Sequence, residues 1–314
     1  MQTTTDEKLK IQNPSTTSDL ERRDHLLASS LRDHQLDWQY RCEYPLVLTE
    51  KSASTSWCLY SGENIAAHAS LWPRMLSHRS GQRAIKLGFI GNVATDSKYR
   101  GCGFMTKLFS HLIEVARSHD IEALVLWSDL LQFYQKLGFS SIGRESRFTF
   151  KPKDTQLITG ITRVSPDSLT DLDLERMLDL RPKFEWNLGR TVPEFRVLLS
   201  IPNTALLIRR HGSRIVSWMA IGRGSDMQGI VHEWGSASGL ELVRDIQAVI
   251  AQWDLPELQT IAPAGLTPLW QETLKLYSVN QADCPMALGL PIGPKGAEAL
   301  AATAKSFIWG FDSI

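Results

Sequence analysis

Apolar positions along this chain change period several times, and each change marks an element. Asp19 to Leu36 spaces Leu20, Leu26, Leu27, Leu31 and Leu36 among charged residues, a helical composition. Short apolar runs follow at Pro45-Leu-Val-Leu48, Trp57-Cys-Leu-Tyr60 and Ile65 to Trp72. The tetrad Ser61-Gly62-Glu63-Asn64 between the last two is a hairpin signal. Arg83 to Val93 is predicted as the next strand. From Met105 onward Leu108, Phe109, Leu112, Ile113 and Ala116 recur at helical spacing, so this helix buries one face. Ile121 to Trp127 is almost unbroken apolar sequence, the pattern of a central strand covered on both sides. Asp129 with Gln132 reads as a capping box, Gly138 closes the helix it opens, and Phe139 to Phe150 supplies one or two more strands.

Lys151-Pro152-Lys153-Asp154 interrupts these patterns, and beyond it the chain begins afresh. Asp171 to Leu180 and Arg190 to Leu199 read as helices. Thr204 to Arg210 and Arg214 to Ile221 form a hairpin around His211-Gly-Ser213, and Gly229 to Trp234 is a further strand. Leu240 to Trp253 is amphipathic, and Leu258 to Ala262 is strand-like. Hairpin, strand, glycine-containing turn, helix, strand is also the order of the first half. The expectation is an α/β chain with mixed (α+β) sheet. Residues 1–18 form a disordered lead, 19–150 a first domain, and 155–314 a second, diverged copy whose apolar tail from Phe307 is docked.

At 314 residues the chain has room for two such domains, and 43% hydrophobic with 22% charged residues describes an ordinary globular protein. Thirty-four basic residues balance thirty-four acidic ones, so no global positive field points to nucleic acid or an anionic membrane as partner. No apolar run reaches the length of a membrane span, and the polar N-terminus is no secretory signal. Cys42, Cys58, Cys102 and Cys284 are widely spaced with no Cys-x-x-Cys pair, which argues against zinc and against a disulfide framework. A cytoplasmic protein without metal is expected, and the sequence admits a homodimer.

The candidate chemistry lies in two segments. Asn92-Val-Ala-Thr-Asp-Ser-Lys-Tyr-Arg-Gly-Cys-Gly-Phe-Met-Thr106 leaves an apolar strand, turns through Arg100-Gly101-Cys102-Gly103 and enters a helix. Glycines at a helix N-terminus let backbone N–H groups approach a phosphate beside the positive end of the helix dipole. About thirty residues on, Leu131-Gln-Phe-Tyr-Gln-Lys-Leu-Gly-Phe139 is a helix ending on glycine, with Tyr134 one turn before its end. Together they resemble the acyl-CoA core of the GNAT superfamily of N-acetyltransferases. The family's Arg/Gln-x-x-Gly-x-Gly/Ala pattern falls on Arg100, Gly103 and Met105, with Met105 standing where a small residue is usual.

The resemblance implies two tandem copies of the GNAT fold, the second degenerate, and acetyl-CoA as cosubstrate. It places the backbone of Gly101, Cys102, Gly103, Phe104 and Met105 around the CoA pyrophosphate, with Arg100 and Thr106 nearby. Val93, Ala94 and Thr95 would hold the pantetheine arm and the thioester oxygen, and Tyr134 would protonate the departing thiolate. The implied reaction is aminolysis of the thioester by a primary amine of a small molecule, with a peptide or protein amine also open. The strand before the loop carries no glutamate to serve as base. His68, Glu233 and the C-terminal carboxylate are the other candidates, each with a structural role as its plainer reading. A non-catalytic CoA-binding regulator or scaffold is the alternative, and a longer acyl or aminoacyl donor a third.

Overall fold

The structure is a computed structural model that describes residues 9–32, 37–153 and 160–313. In chain order the strands are β1 (Leu9–Gln12), β2 (Ser56–Ser61), β3 (Asn64–His78), β4 (Ala84–Thr95), β5 (Ala123–Leu126) and β6 (Ser140–Phe150) in the first half. The second half holds β7 (Ile161–Arg163), β8 (Trp186–Leu188), β9 (Ala205–His211), β10 (Arg214–Arg223), β11 (Asp226–Ser236), β12 (Leu258–Pro263) and β13 (Asn280–Pro291). The helices are α1 (Thr17–Leu31), α2 (Asp37–Glu43), α3 (Phe104–Ser118), α4 (Leu131–Lys136), α5 (Asp171–Leu180), α6 (Val192–Leu199), α7 (Gly239–Gln252), α8 (Pro268–Tyr277) and α9 (Gly296–Ala304).

All thirteen strands join one sheet in the order β1-β2-β3-β4-β5-β13-β6-β12-β11-β10-β9-β7, with β8 attached to β3. The order is the same from either edge inward: five strands of one half, then the last strand of the other. β13 lies antiparallel between β5 and β6, with Leu288 opposite both Leu126 and Ser141. β6 pairs antiparallel with β12, with Phe150 opposite Leu258. The division expected between residues 150 and 155 is therefore crossed by strand pairing, and the two halves share a sheet and a core. One apolar cluster packs Phe148 and Phe150 of the first half with Val231, Ile246 and Met286 of the second.

Local signals account for the elements. Thr16 and Asp19 form a reciprocal capping box that starts α1, and Thr170–Asp173 and Thr191–Glu194 do the same for α5 and α6. Leu108, Phe109, Leu112 and Ala116 present one buried stripe of α3 to the sheet, against Leu71, Ile90 and Leu124. Three expectations need correction. Leu9 to Gln12, assigned to the disordered lead, is β1, because alternating Leu9 and Ile11 pack against the cluster beneath α3 while the backbone pairs with β2. Pro45 to Leu48 is a turn whose Val47 and Leu48 are buried. Asp129 caps nothing: α4 begins at Leu131, and the Leu130 N–H donates to Ser128 Oγ at 3.0 Å. Residues 1–8, Asp154 and Ile314 lie outside the described residues. The tail from Phe307 to Asp312 is buried, with Phe307 and Trp309 in the shared core.

Two buried histidines give the fold a pH signature. His68 donates from Nδ1 to the Asn92 carbonyl at 2.8 Å, and His232 Nε2 lies 3.0 Å from the Gly222 carbonyl. Burial dominates both and holds each imidazole neutral down to about 3, against an ordinary 6.5. In the unfolded chain both take up protons as the pH falls below about 6.5. Stability is thus complete above that pH and declines below it, by about 1.4 kcal/mol per pH unit for each histidine, until the folded values are reached. Urea unfolding from pH 7 to pH 5 should show the midpoint falling. A flat midpoint over that interval would contradict the burial assigned to these rings.

Candidate active site

The site begins with an irregularity in β4. His68 of β3 faces Ala94, but Ser70 faces Gly91, so β4 carries one extra residue between them. Asn92 occupies this bulge at φ 51°, left-handed backbone that asparagine tolerates better than most residues. Its side chain is fixed from two sides: Tyr40 Oη donates to Oδ1 at 2.7 Å, and Nδ2 donates to Ser70 Oγ at 3.4 Å. Together with the His68 bond to its carbonyl, Asn92 is held by α2 and β3. Beside the bulge, the parallel pairing of β4 with β5 runs from Leu87–Ala123 to Ile90–Leu126 and stops. β4 continues to Thr95 without that neighbour, so the sheet is split open from Gly91 onward.

The glycine turn closes one end of the split. Asp96 Oδ1 accepts from the Lys98 N–H at 2.9 Å and shapes the descent to Arg100. Gly101 and Gly103 adopt φ 81° and 74°. Gly103 is the N-cap of α3, no side chain caps that terminus, and its first turn holds no acidic residue. A Cβ at either glycine would meet nothing within 4 Å. The N-terminus of α3 is thus a bare donor surface facing open space, which suits a phosphate group.

This surface forms part of a cavity of about 430 Å³. Of the residues singled out from the sequence, Val93, Thr95, Arg100, Gly101, Gly103, Phe104, Met105, Thr106 and Tyr134 line it. Two do not. Ala94 points through the sheet into the cluster formed by Leu26, Tyr40 and Cys58, as strand alternation requires, and Cys102 is exposed to solvent. Met105 lines the cavity and also belongs to the core beneath α3, which occupies the bulk of its side chain. Tyr99, Leu130 and Phe133 complete the wall and were missed; their only sequence signal is an aromatic or aliphatic residue beside a motif.

Tyr134 is buried on α4, with edge-on contacts to Phe109 and Phe139 at 5.7 and 5.8 Å between centroids. Burial pushes its hydroxyl up to about 12, partly offset by a hydrogen bond with Ser128. The phenol therefore keeps its proton at every physiological pH. Among the described residues that line the cavity there is no Asp, Glu or His. His68 is sealed in the sheet and held neutral. Glu233 is fully buried and bonded to Arg190 and Arg181 at 2.6 and 3.2 Å. Neither reaches the cavity as a base, and the carboxylate of Ile314 lies outside the described residues.

In the second half the passage from β11 into α7 is built differently. Ser238 caps α7 by accepting from the Glu241 N–H, and Glu241 sits in its first turn. The α7 terminus thus has a side-chain cap and an acidic first turn, neither of which favours a bound phosphate. Trp234 on β11 donates from Nε1 to the Ile261 carbonyl of β12 at 2.9 Å and stacks on Trp270 at 5.3 Å, which bridges and fills the gap between those strands. Among the described residues no group of three His, Cys, Asp or Glu could hold a metal ion, and no helix is long and apolar enough to cross a membrane.

Residues 18–139, which hold the bulge, the glycine turn and Tyr134, match the profile of the Acetyltransferase (GNAT) family. The fold is similar to that of a GCN5-related N-acetyltransferase from Kribbella flavida (TM-score 0.65, 17% identity, covering 93% of this chain and 73% of that one). Similar also are a GCN5-related N-acetyltransferase from Anabaena variabilis ATCC 29413 (TM-score 0.65, 13% identity, 91% and 73% covered) and a conserved protein of unknown function, a probable N-acyltransferase, from Enterococcus faecalis V583 (TM-score 0.67, 11% identity, 91% and 73% covered). No curated protein matches the sequence. The first half thus carries the profile of the GNAT acetyltransferases, and the chain as a whole has a mixed α/β GNAT-like fold.

Proposed function

We propose that the chain transfers an acetyl group from acetyl-CoA to a primary amine of a small molecule, using the first half as the catalytic unit. The observation that carries this reading is the uncapped, glycine-started N-terminus of α3 opening on the same cavity as the protonated Tyr134. In it, the backbone N–H groups from Gly101 to Met105 hold the pyrophosphate, with Arg100 adding charge. Val93 to Thr95, freed from β5, run beside the pantetheine arm and offer N–H groups to the thioester oxygen, where negative charge develops as the amine attacks. The Tyr134 hydroxyl gives its proton to the leaving sulfur.

The mirrored strand order supports reading the second half as a diverged copy of the same unit. Its capped α7 and Trp-filled strand gap favour a supporting role, walling the acceptor side and confining it to small amines. A wall without Asp, Glu or His favours one other reading, a CoA-binding regulator that does not turn over. Thiol release from acetyl-CoA in the presence of an amine panel separates the two, since turnover with any amine removes the regulator and binding without turnover removes the enzyme. Tyr134→Phe should lower kcat about a hundredfold and leave acetyl-CoA affinity unchanged, because the ring stays packed while the proton source is lost. Equal kcat for this variant would take the acid role from Tyr134.

A further inference from the structure

Asn92 and Val93 have no Cα partner in the register of β4 with β3. Gly91 is fixed opposite Ser70 and Ala94 opposite His68, so the ladder leaves the peptide between Asn92 and Val93 unset. His68 sets it. Its side chain lies on the face of β3 that packs under α1 and α2, because it stands opposite Cys58 and Ala94, which join Leu26 and Tyr40 in the cluster there. From that side Nδ1 lies 2.8 Å from the Asn92 carbonyl oxygen. A carbonyl only accepts, so the neutral ring carries its proton on Nδ1. The peptide is trans and planar, and its N–H points opposite to its carbonyl, so the Val93 N–H is turned away from His68. On that other face Val93 packs against the cluster beneath α3 and lines the cavity.

A half-turn of this peptide would aim the Val93 N–H at the Nδ1–H, donor against donor, so the imidazole allows one orientation only. Stability alone does not account for a histidine here. The ring is fully buried, and Nε2 has no hydrogen-bond partner among the described residues. A buried, half-satisfied imidazole weakens a core that an apolar side chain would fill without that penalty. Asn92 is held as firmly: Tyr40 and Ser70 bind its side chain while its backbone stands at φ 51°. Side chains from α2 and β3 thus converge on one peptide, and Tyr40, His68 and Ser70 are not among the residues that line the cavity.

We infer that His68 is a positioning residue for acyl transfer: through the Asn92 carbonyl it holds the Val93 N–H toward the thioester oxygen, where charge develops as the amine attacks. The imidazole touches neither substrate nor reacting atoms and exchanges no proton with them. This role rests on the acetyl-transfer reading given above.

His68→Leu and His68→Asn in the full-length protein test it. Leucine fills the space without a donor, whereas asparagine can place an amide N–H where Nδ1 stands. His68→Leu should lower kcat roughly tenfold to hundredfold, with KM and calorimetric affinity for acetyl-CoA unchanged, because the pyrophosphate turn is untouched. His68→Asn should bring kcat back to within about threefold of the wild type. A merely structural role would lower affinity along with kcat and would not depend on a donor. Amide NMR of isotope-labelled valine, with the Val93 resonance identified by Val93→Ile, gives a readout apart from turnover. Saturating acetyl-CoA should move the Val93 N–H downfield in the wild type and in His68→Asn, and leave it in place in His68→Leu. The wild-type part of that measurement stands even if a variant fails to fold. Wild-type kcat in His68→Leu, no recovery in a folded His68→Asn, or a wild-type Val93 resonance that ignores bound acetyl-CoA would each overturn the inference and leave the acetyl-transfer reading standing. A wild type that neither binds acetyl-CoA nor turns it over would overturn that reading, and this role with it.

Discussion

A chain ended after Lys153 will fail to form a stable GNAT unit, although it contains every family motif. In the full protein β6 has second-half strands on both sides, β13 in nine residue pairs and β12 in six, and β5 gives four pairs to β13. Truncation leaves β6 without a neighbour and turns β5 into an open edge, with backbone donors and acceptors unpaired on both. Ile142, Phe148 and Phe150 also lose the second-half side chains that bury them. Burial of such residues is worth about 1.5–3 kcal/mol each, so the three together rival the 5–15 kcal/mol that typically separates a folded domain from its unfolded chain. Thermal unfolding followed by near-ultraviolet circular dichroism should show no cooperative transition in the 1–153 fragment. A fragment that melts cooperatively and binds acetyl-CoA like the whole chain would mean that β6 can dock on β5 directly.

Gly103→Val should abolish measurable acetyl-CoA binding in a protein that still folds. Valine at φ 74° carries strain of about 1–3 kcal/mol, as its branched Cβ meets the backbone in the left-handed region. Relief of that strain would rotate the first N–H groups of α3 away from their present direction. The added side chain would itself stand in the open space before the helix terminus, where no protein atom lies within 4 Å of a Cβ. Strain of this size alone corresponds to roughly a fivefold to 150-fold loss in affinity, and steric exclusion adds to it. Arg100→Ala should cost less, since it removes charge but no backbone donor. Cys102→Ser, at an exposed residue off the cavity wall, should change nothing. Calorimetry on the three variants reads the order directly. Wild-type affinity in Gly103→Val would show that the ligand does not approach this terminus.

The cavity's parts were legible to unequal degrees. The glycine turn and Tyr134 were readable because φ preference, helix capping and motif spacing are properties of a few adjacent residues. The bulge at Asn92 was not: an asparagine inside an apolar strand carries no register by itself, and Tyr40, His68 and Ser70 that pin it come from elsewhere in the chain. The cap expected from Asp129 is absent because α4 starts two residues later, with Leu130 as an N-cap that no side chain caps, and the packed position of Tyr134 selects that start. Glu233 looked like a candidate base on its strand until Arg181 and Arg190, more than forty residues earlier, closed around it.

By itself the sequence determined the local elements, the hairpins, the buried stripe of α3 and the phosphate-directed turn, since each follows from periodicity or from the conformational range of single residues. Only the tertiary structure decided that β6 and β13 change sides and join the two halves in one sheet. It alone fills the second half's strand gap with tryptophan and seals the acidic and imidazole candidates away from the open cavity. Strand partners and burial are set by the competition of distant segments for the same edge and the same core, and no local pattern records which of them wins.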